Sequence, residues 1–250
     1  MTDLHCHILP GIDDGSKNIE TSLALLRQQQ TQGITQLAFT PHFRCDATVD
    51  AFLQKRYRSL CALHQAARGK GFSFKVKLGA EAYFSPALID LNLAPICLQG
   101  TKNLLIELPV LYNSSFTMEV LYEIQLQGIT PIIAHVERYS YALEDMNFLV
   151  QLVNAGCILQ TNAASIVRKD AMSKTVLKLI QWNLIHIVAS DTHSVRRRPS
   201  QMRAAAQIIT EKLGAETWDK LDNNASDIFT GKEFAAQEIH CPRKIFGKWV

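Results

Sequence analysis

The 250-residue chain is 47% hydrophobic and 20% charged, with a formal net charge of +3 at pH 7. That composition supplies ample apolar surface for a folded core and excludes a disordered or fibrous chain, while the charge lacks the concentrated basic footprint of a nucleic-acid binder. No apolar run approaches the roughly 20 residues that span a bilayer, and Met1-Thr2-Asp3-Leu4-His5 lacks the pattern of a secretory signal. Six scattered cysteines without a C-x-x-C pair read as reduced thiols. Together these features predict a soluble protein of the cytoplasm that neither inserts into a membrane nor binds nucleic acid.

In chain order, Thr2 to His7 predicts a strand, and Ser16 to Gln32 a helix closed by Gly33. Leu37 to Thr40 is the next strand, followed by a long helix from Val49 to Arg68 that Gly69 and Gly71 break. Phe74 to Gly79 and Leu104 to Leu108 are strands, the second stopped by Pro109. A helix from Met118 to Gln127 leads to a strand at Thr130 to Ala134. A helix from Met146 to Asn154 leads to a strand at Cys157 to Gln160. A helix from Lys169 to Gln181 precedes the strand Ile185 to Ala189, and Pro199 to Leu213 reads as a last long helix. From Asp222 onward the pattern is less regular. The expected organisation is therefore a barrel over residues 1–213 and an extension over 214–250 packed upon it.

Strands that are apolar throughout, each followed by a helix, suit a parallel sheet covered on both faces. About seven such units in a chain of this length fit a single-domain α/β fold, a distorted (β/α)7 TIM-like barrel. The polar residues favour a closed barrel over an open sheet, because they fall directly after the strands. His5, His7 and Asp13-Asp14 follow the first strand, His42 the second and Glu81 the third. Glu107 ends the fourth, His135 follows the fifth, and Asp191 and His193 follow the strand at 185–189. In a parallel barrel these positions converge on one mouth.

The residue types point to metal. Histidine nitrogens with carboxylate oxygens suit Mn²⁺, Fe²⁺ or Zn²⁺. The alternation of an extended strand puts His5 and His7 on one face and Cys6 on the other, and Asp191-Thr192-His193 repeats the device. The donors exceed what one tetrahedral ion uses, which implies two or three metals. A lone histidine is more often structural, so His64, His186 and His240 are assigned no ligand role. Asp13 and Asp14 share a glycine-flanked turn where aspartate is favoured for local reasons; Asp14 is taken as the donor. Arg138, three residues after His135, belongs to the same mouth.

The segments His5-Cys6-His7-Ile8-Leu9-Pro10-Gly11-Ile12-Asp13-Asp14-Gly15, Thr40-Pro41-His42, Gly79-Ala80-Glu81, Ile106-Glu107-Leu108-Pro109, Ala134-His135-Val136-Glu137-Arg138-Tyr139 and Ser190-Asp191-Thr192-His193 resemble the PHP (polymerase and histidinol phosphatase) superfamily. Within it they are most similar to the bacterial capsule-type protein-tyrosine phosphatases. The resemblance runs from the N-terminus to about Leu213. It implies a distorted (β/α)7 barrel with three metals, usually described with manganese. By position, one metal takes His5, His7, Glu81 and Asp191. A second shares Glu81 and takes Glu107 and His135, and a third takes Asp14, His42 and His193. Glu107 distinguishes the tyrosine-phosphatase branch, since many other members place a histidine near that position. Val136 departs from the family, which commonly has proline there.

The same resemblance makes Arg198 a phosphate contact beside Arg138, with Asp191 and His193 also in the catalytic set; Arg196 and Arg197 read equally well as a solvated loop. Tyr139, Tyr112 and Phe43 are candidates for a wall against an aromatic leaving group. No Cys-x₅-Arg phosphate loop is present, so no cysteinyl-phosphate step is expected. The implied substrate is phosphotyrosine on a membrane-anchored bacterial tyrosine autokinase that controls capsule or exopolysaccharide synthesis. The alternatives are a small-molecule phosphatase such as one for histidinol phosphate, a nuclease-like member, and a non-catalytic regulator of the kinase.

Overall fold

The computed structural model describes residues 1–232, 238–245 and 248–249. Nine short strands build the centre: β1 (Thr2–Asp3), β2 (Gln36–Phe39), β3 (His42–Phe43), β4 (Lys75–Leu78), β5 (Glu81–Tyr83), β6 (Asn103–Glu107), β7 (Thr130–Ile133), β8 (Ile158–Asn162) and β9 (Ile187–Ala189). They pair in parallel in the orders β1-β2-β4 and β3-β5-β6-β7-β8-β9. β2 runs on into β3, and β4 into β5. Backbone bonds from Thr40 N to Cys6 O (3.1 Å), Gly79 N to Phe39 O (2.8 Å) and Glu81 N to Pro41 O (3.1 Å) carry the ladder across both interruptions.

The circuit closes between the first and last staves. Cys6 and Thr192 form a parallel bridge, flanked by Asp191 N to His5 O (2.8 Å) and His7 N to Thr192 O (2.9 Å). With β2/β3 and β4/β5 each counted as one stave, the nine strands form a ring of seven among the described residues, the expected distorted barrel. Closure leaves none of these staves with an unpaired edge.

Period-two alternation divides each stave between two cores. Leu105, Ile132, Ile158 and Ile187 point into the barrel, whereas Leu104, Ile106, Ile133, Leu159 and Val188 face the surrounding helices. Continuing the inward face toward the strand ends leads from Leu105 to Glu107 and from Ile158 to Gln160 and Asn162. The barrel interior is thus apolar at its base and polar at its mouth. The helices around it are α1 (Ile19–Gln32), α2 (Val49–Ala67), α3 (Thr117–Leu126), α4 (Ser140–Glu144), α5 (Asn147–Asn154), α6 (Ala163–Val167), α7 (Ala171–Gln181) and α8 (Met202–Leu213). α1 begins at Ile19, later than the expected Ser16, because the Asn18 side chain accepts from Thr21 N and caps it. α8 begins at Met202, also later than expected.

The tail differs from expectation. Residues 215–230 form a regular helix, α9 (Ala215–Thr230), closed by Gly231 in the left-handed region. The irregular look of Asp222-Asn223-Asn224 reflects an amphipathic helix with few apolar positions. Those few close the base of the barrel: Ala225, Ile228 and Phe229 pack on Leu4, Ala38 and Ile187, and Asp222 accepts a hydrogen bond from Thr2 N at 2.8 Å. β10 (Lys244–Ile245) and β11 (Lys248–Trp249) form a small antiparallel pair. Among the described residues no helix is long and apolar enough to cross a membrane.

Candidate active site

The nine predicted donors meet at the mouth. His5 and His7, on one face as alternation requires, bring their Nε2 atoms to 3.1 Å. Glu81 Oε2 lies 3.1 Å from His5 Nε2, His7 Nε2 and His42 Nδ1, and Glu81 Oε1 lies 3.0 Å from His135 Nε2. His135 Nε2 is also 3.5 Å from Glu107 Oε1. Asp191 Oδ1 lies 3.4 Å from His5, 3.6 Å from His7 and 3.3 Å from His193 Nδ1. Asp14 Oδ1 approaches His42 Nε2 at 3.3 Å and His193 Nε2 at 3.4 Å. Among the described residues, three sets of donor atoms lie mutually within 4.8 Å: His5, His7 and Glu81; His7, Asp14, His42 and His193; and His42, Glu81 and Glu107. The last set contains His42 where His135 was expected, although His135 stands close to both of its acids.

Local sequence explains the placement. β3 and β5 pair His42 directly with Glu81, so both reach the mouth at one level. Gly15 is required by close approach, since a Cβ there would lie 2.3 Å from His7 O. This tight return brings the Asp13-Asp14 turn over the first stave. His135 and Asp191 both adopt left-handed backbone, at φ 32° and 50°. Non-glycine residues hold that conformation at a cost of order 1–3 kcal/mol, and here it turns both side chains back over the mouth. Val136, the departure from the family, is fully buried in the turn after His135 and leaves His135 at the site.

The two neighbouring aspartates differ. Asp13 Oδ2 accepts from His7 Nδ1 (2.8 Å) and His42 N (3.1 Å), and its Oδ1 from Gly15 N (2.9 Å). Asp13 therefore orients His7, leaving Nε2 toward the acids, in the manner of a carboxylate behind a metal-binding histidine. Asp14 is 65% exposed and faces His42 and His193. The electrostatics follow this geometry. Burial opposes ionisation of Glu81, but His5, His135 and His42 hold its carboxyl well below the usual range. Burial likewise pulls the His7 imidazole down, and Asp13 and Glu81 override it, pushing it up to about 10. His193 is lowered to about 3, first by burial and then by the charge of His7.

Three buried atoms of these residues, Glu81 Oε2, His135 Nδ1 and His193 Nε2, have no hydrogen-bond partner among the described residues. Imidazole nitrogens lie 3.1 Å from Glu81 Oε2, yet none meets it with hydrogen-bond geometry. Buried polar atoms are rarely left so. Imidazole nitrogens and carboxylate oxygens gathered around one point are the donor types that divalent cations take.

The arginines stand at the rim. Arg198 Nη2 donates to Asp191 Oδ2 at 2.6 Å, and Arg138 Nη1 lies 3.9 Å from both Glu107 and Asp191. Both side chains are 41% exposed. Arg196 and Arg197 are exposed and make no ion pair among the described residues. A cleft of about 550 Å³ opens beside the donors, lined by Asp14, His42, Glu107, Arg44 and Lys55 among others. Of the three aromatic candidates only Tyr112 is exposed. Tyr139 is fully buried, its hydroxyl donating to Ala134 O (2.8 Å) and accepting from Leu108 N (3.0 Å). Phe43 is 1% exposed and packs edge-on against Phe52. Tyr139 belongs to the packing, whereas Phe43, though packed on Phe52, also lines the cleft.

Sequence reasoning missed the residues that hold the donors. Asn162 Nδ2 donates to Asp191 Oδ2 at 2.7 Å, and Gln160 Oε1 stands 3.1 Å from His5 Nδ1. Glu137, 2% exposed, accepts from Thr161 Oγ1, Asn162 N and Ser165 Oγ. Asp3 is fully buried and accepts from the Ser190 amide and hydroxyl. A signal existed for the first pair: Gln160 and Asn162 alternate on one face at the end of a strand that begins apolar at Ile158 and Leu159.

Comparison with known proteins gives the site its context. The chain is 30% identical over 225 residues to the tyrosine-protein phosphatase CpsB of Streptococcus pneumoniae, covering 86% of this chain and 92% of that one. It is 29% identical over 254 residues to the tyrosine-protein phosphatase YwqE of Bacillus subtilis, covering 99% of each. Among solved structures, one described with YwqE of B. subtilis and CpsB of S. pneumoniae as metal-dependent tyrosine phosphatases superposes with a TM-score of 0.87, at 28% identity, over 96% of this chain and 98% of that one. A histidinol phosphate phosphatase from Lactococcus lactis, at TM-score 0.51 and 13% identity, covers 84% of this chain and 93% of its own and shares the fold alone. The family model for capsular polysaccharide synthesis, CpsB/CapC, matches residues 1–230, and the chain belongs to that family.

Proposed function

We infer that this protein is a metal-dependent protein-tyrosine phosphatase whose centre uses His5, His7, Asp14, His42, Glu81, Glu107, His135, Asp191 and His193 as metal ligands. The observation that carries the reading is the gathering of these donors at one mouth, where a buried Glu81 oxygen has no hydrogen-bond partner among the described residues. Mn²⁺ is the proposed ion, with two or three per chain. When bound, such cations neutralise phosphoryl charge and bring the pKa of a water near about 7.

The protein's own groups do the rest. Arg198 and Arg138 hold the planar donors suited to equatorial phosphoryl oxygens, and Asp191 keeps both guanidinium groups at the rim. Asp13 fixes the His7 ring, and the left-handed turns at His135 and Asp191 aim two donors inward. The open cleft beside the donors, lined by His42, Phe43 and Glu107 among others, suits a phosphotyrosine on a protein. The proposed substrate is a tyrosine autokinase of capsule or exopolysaccharide synthesis, met in the cytoplasm at the membrane face.

The test is hydrolysis by metal-stripped protein with Mn²⁺ added back. Substrates are a phosphotyrosine peptide, histidinol phosphate and p-nitrophenyl phosphate. Selective Mn²⁺-dependent release from the peptide is expected. Turnover of histidinol phosphate alone would refute the protein substrate but keep the metal centre, and silence on all three would refute the phosphatase reading.

A further inference from the structure

Six of the seven staves deliver a proposed ligand at or just beyond their ends; β8 delivers none. We propose that β8 instead carries a polarised amide relay, Gln160–Asn162, which positions ligands from three other staves at once. The inference rests on the metal-centre reading above.

The relay has a direction set by atoms that can play one role only. The backbone N–H of His135 donates to Gln160 at 2.8 Å, so the atom it meets is the amide oxygen. That oxygen also meets His5 Nδ1 at 3.1 Å. As an acceptor it requires a proton on Nδ1, which leaves the Nε2 lone pair of neutral His5 facing Glu81 and Asp191. The Gln160 amide nitrogen then donates to Asn162 Oδ1 at 2.8 Å. This turns the Asn162 nitrogen outward, where it donates to Asp191 Oδ2 at 2.7 Å. Asp191 Oδ2 is thereby occupied by Asn162 and Arg198, and Oδ1 is the oxygen left toward His5, His7 and His193.

Neither amide can turn over without setting donor against donor or acceptor against acceptor. Both are enclosed, Gln160 at 0% and Asn162 at 8% exposure, so water does not readily substitute. Glu137 anchors the strand by accepting from Asn162 N at 3.0 Å. The relay also braces two ligands with left-handed backbone, one from each end: His135 through its amide and Asp191 through its carboxylate. Gln160 and Asn162 are positioning residues, since they act through His5, His135 and Asp191.

The experiment is a double-mutant cycle on Mn²⁺ affinity using Gln160→Met, Asn162→Leu and the pair, with unfolding of each metal-free protein measured alongside. Each single change is expected to weaken Mn²⁺ binding about 10–100-fold, as outer-shell substitutions do. The pair should weaken it little more than the stronger single change, because breaking either link disables one unit. Affinities within twofold of wild type, or effects that add in full, overturn the relay. If Gln160→Met does not fold, Gln160→Glu replaces it. That change keeps the acceptor for His5 and His135 but removes the donor to Asn162, and the same loss is expected. Hydrogen exchange of the His135 amide in metal-free protein gives a readout independent of metal: it should accelerate in Gln160→Met and stay slow in Asn162→Leu. A wild type that binds no Mn²⁺ sinks the metal centre, yet faster His135 exchange would still support the relay and unchanged exchange would overturn it.

Discussion

Replacing Asp13 and Asp14 by asparagine, one at a time, should produce opposite signatures from adjacent and chemically identical side chains. The Asp13 carboxylate accepts from three donors: His7 Nδ1 and His42 N on one oxygen, Gly15 N on the other. Asparagine has a single acceptor oxygen, so in either orientation at least one of these N–H groups faces an NH₂. Leaving a buried donor unmet costs about 1–3 kcal/mol. Titration gives a similar size. Burial by itself raises the Asp13 carboxyl, but His7 and the Gly15 and His42 amides take it from 3.8 down to about 2. A carboxyl lowered on folding stabilises the protein above its unfolded value and loses that contribution as pH falls through about 2. The difference corresponds to about 2 kcal/mol at neutral pH. Urea unfolding of metal-free Asp13→Asn at pH 7 should show a loss of that order, and Mn²⁺ binding should weaken about 10–100-fold. Asp14 is 65% exposed and meets only His42 and His193 among the described residues. Metal-free Asp14→Asn should therefore unfold within about 0.5 kcal/mol of wild type while losing more Mn²⁺ affinity than Asp13→Asn. An Asp13→Asn protein as stable as wild type, or an Asp14→Asn protein as destabilised as Asp13→Asn, would refute the division of roles.

His186, at the barrel base, accepts a hydrogen bond from Leu159 N on Nδ1 at 2.9 Å, and burial followed by Lys220 lowers its pKa from 6.5 to about 4. Folding therefore disfavours its protonated form: stability is complete above pH 6.5 and falls by about 3 kcal/mol as pH drops from 6.5 to 4. His186→Asn keeps an acceptor and should flatten that part of the pH–stability curve; parallel curves would contradict it. Arg198→Ala and Arg138→Ala should each lower kcat on a phosphotyrosine peptide about 10²–10³-fold, whereas Arg196→Ala and Arg197→Ala should leave turnover at the wild-type level. Phe229, 4% exposed beneath the barrel with Lys77 Nζ 5.2 Å from its ring centre, should cost about 3–5 kcal/mol when changed to alanine. Normal stability in that variant would show that α9 does not close the base.

Apart from Asp14, which lies in the turn after the first stave, the candidate donors were legible because they stand at or just beyond strand ends, and a parallel barrel gathers strand ends. His5-Cys6-His7 also announces its own geometry, since alternation alone separates the cysteine from the imidazoles. What supports the donors was hidden. Gln160 and Asn162 are ordinary polar residues on one face of a strand end, and the groups they hold at His5, His135 and Asp191 lie 25 to 155 positions away. Tyr139 illustrates the converse: an aromatic near the mouth in sequence, it turns into the packing because its hydroxyl meets backbone at Ala134 and Leu108.

The sequence by itself determined the alternation of strands and helices, the parallel barrel and the type of chemistry, because hydrophobic period and residue type are local properties. Tertiary structure alone decided that Asp13 holds the His7 ring from behind while Asp14 stands exposed beside His42 and His193. The close packing of Gly15 on His7 sets how the turn returns, and only then does one carboxylate point inward and the other outward. It also decided that residues 215–230 close the barrel base. A helix with few apolar positions reads as irregular until the opening that those positions fill exists.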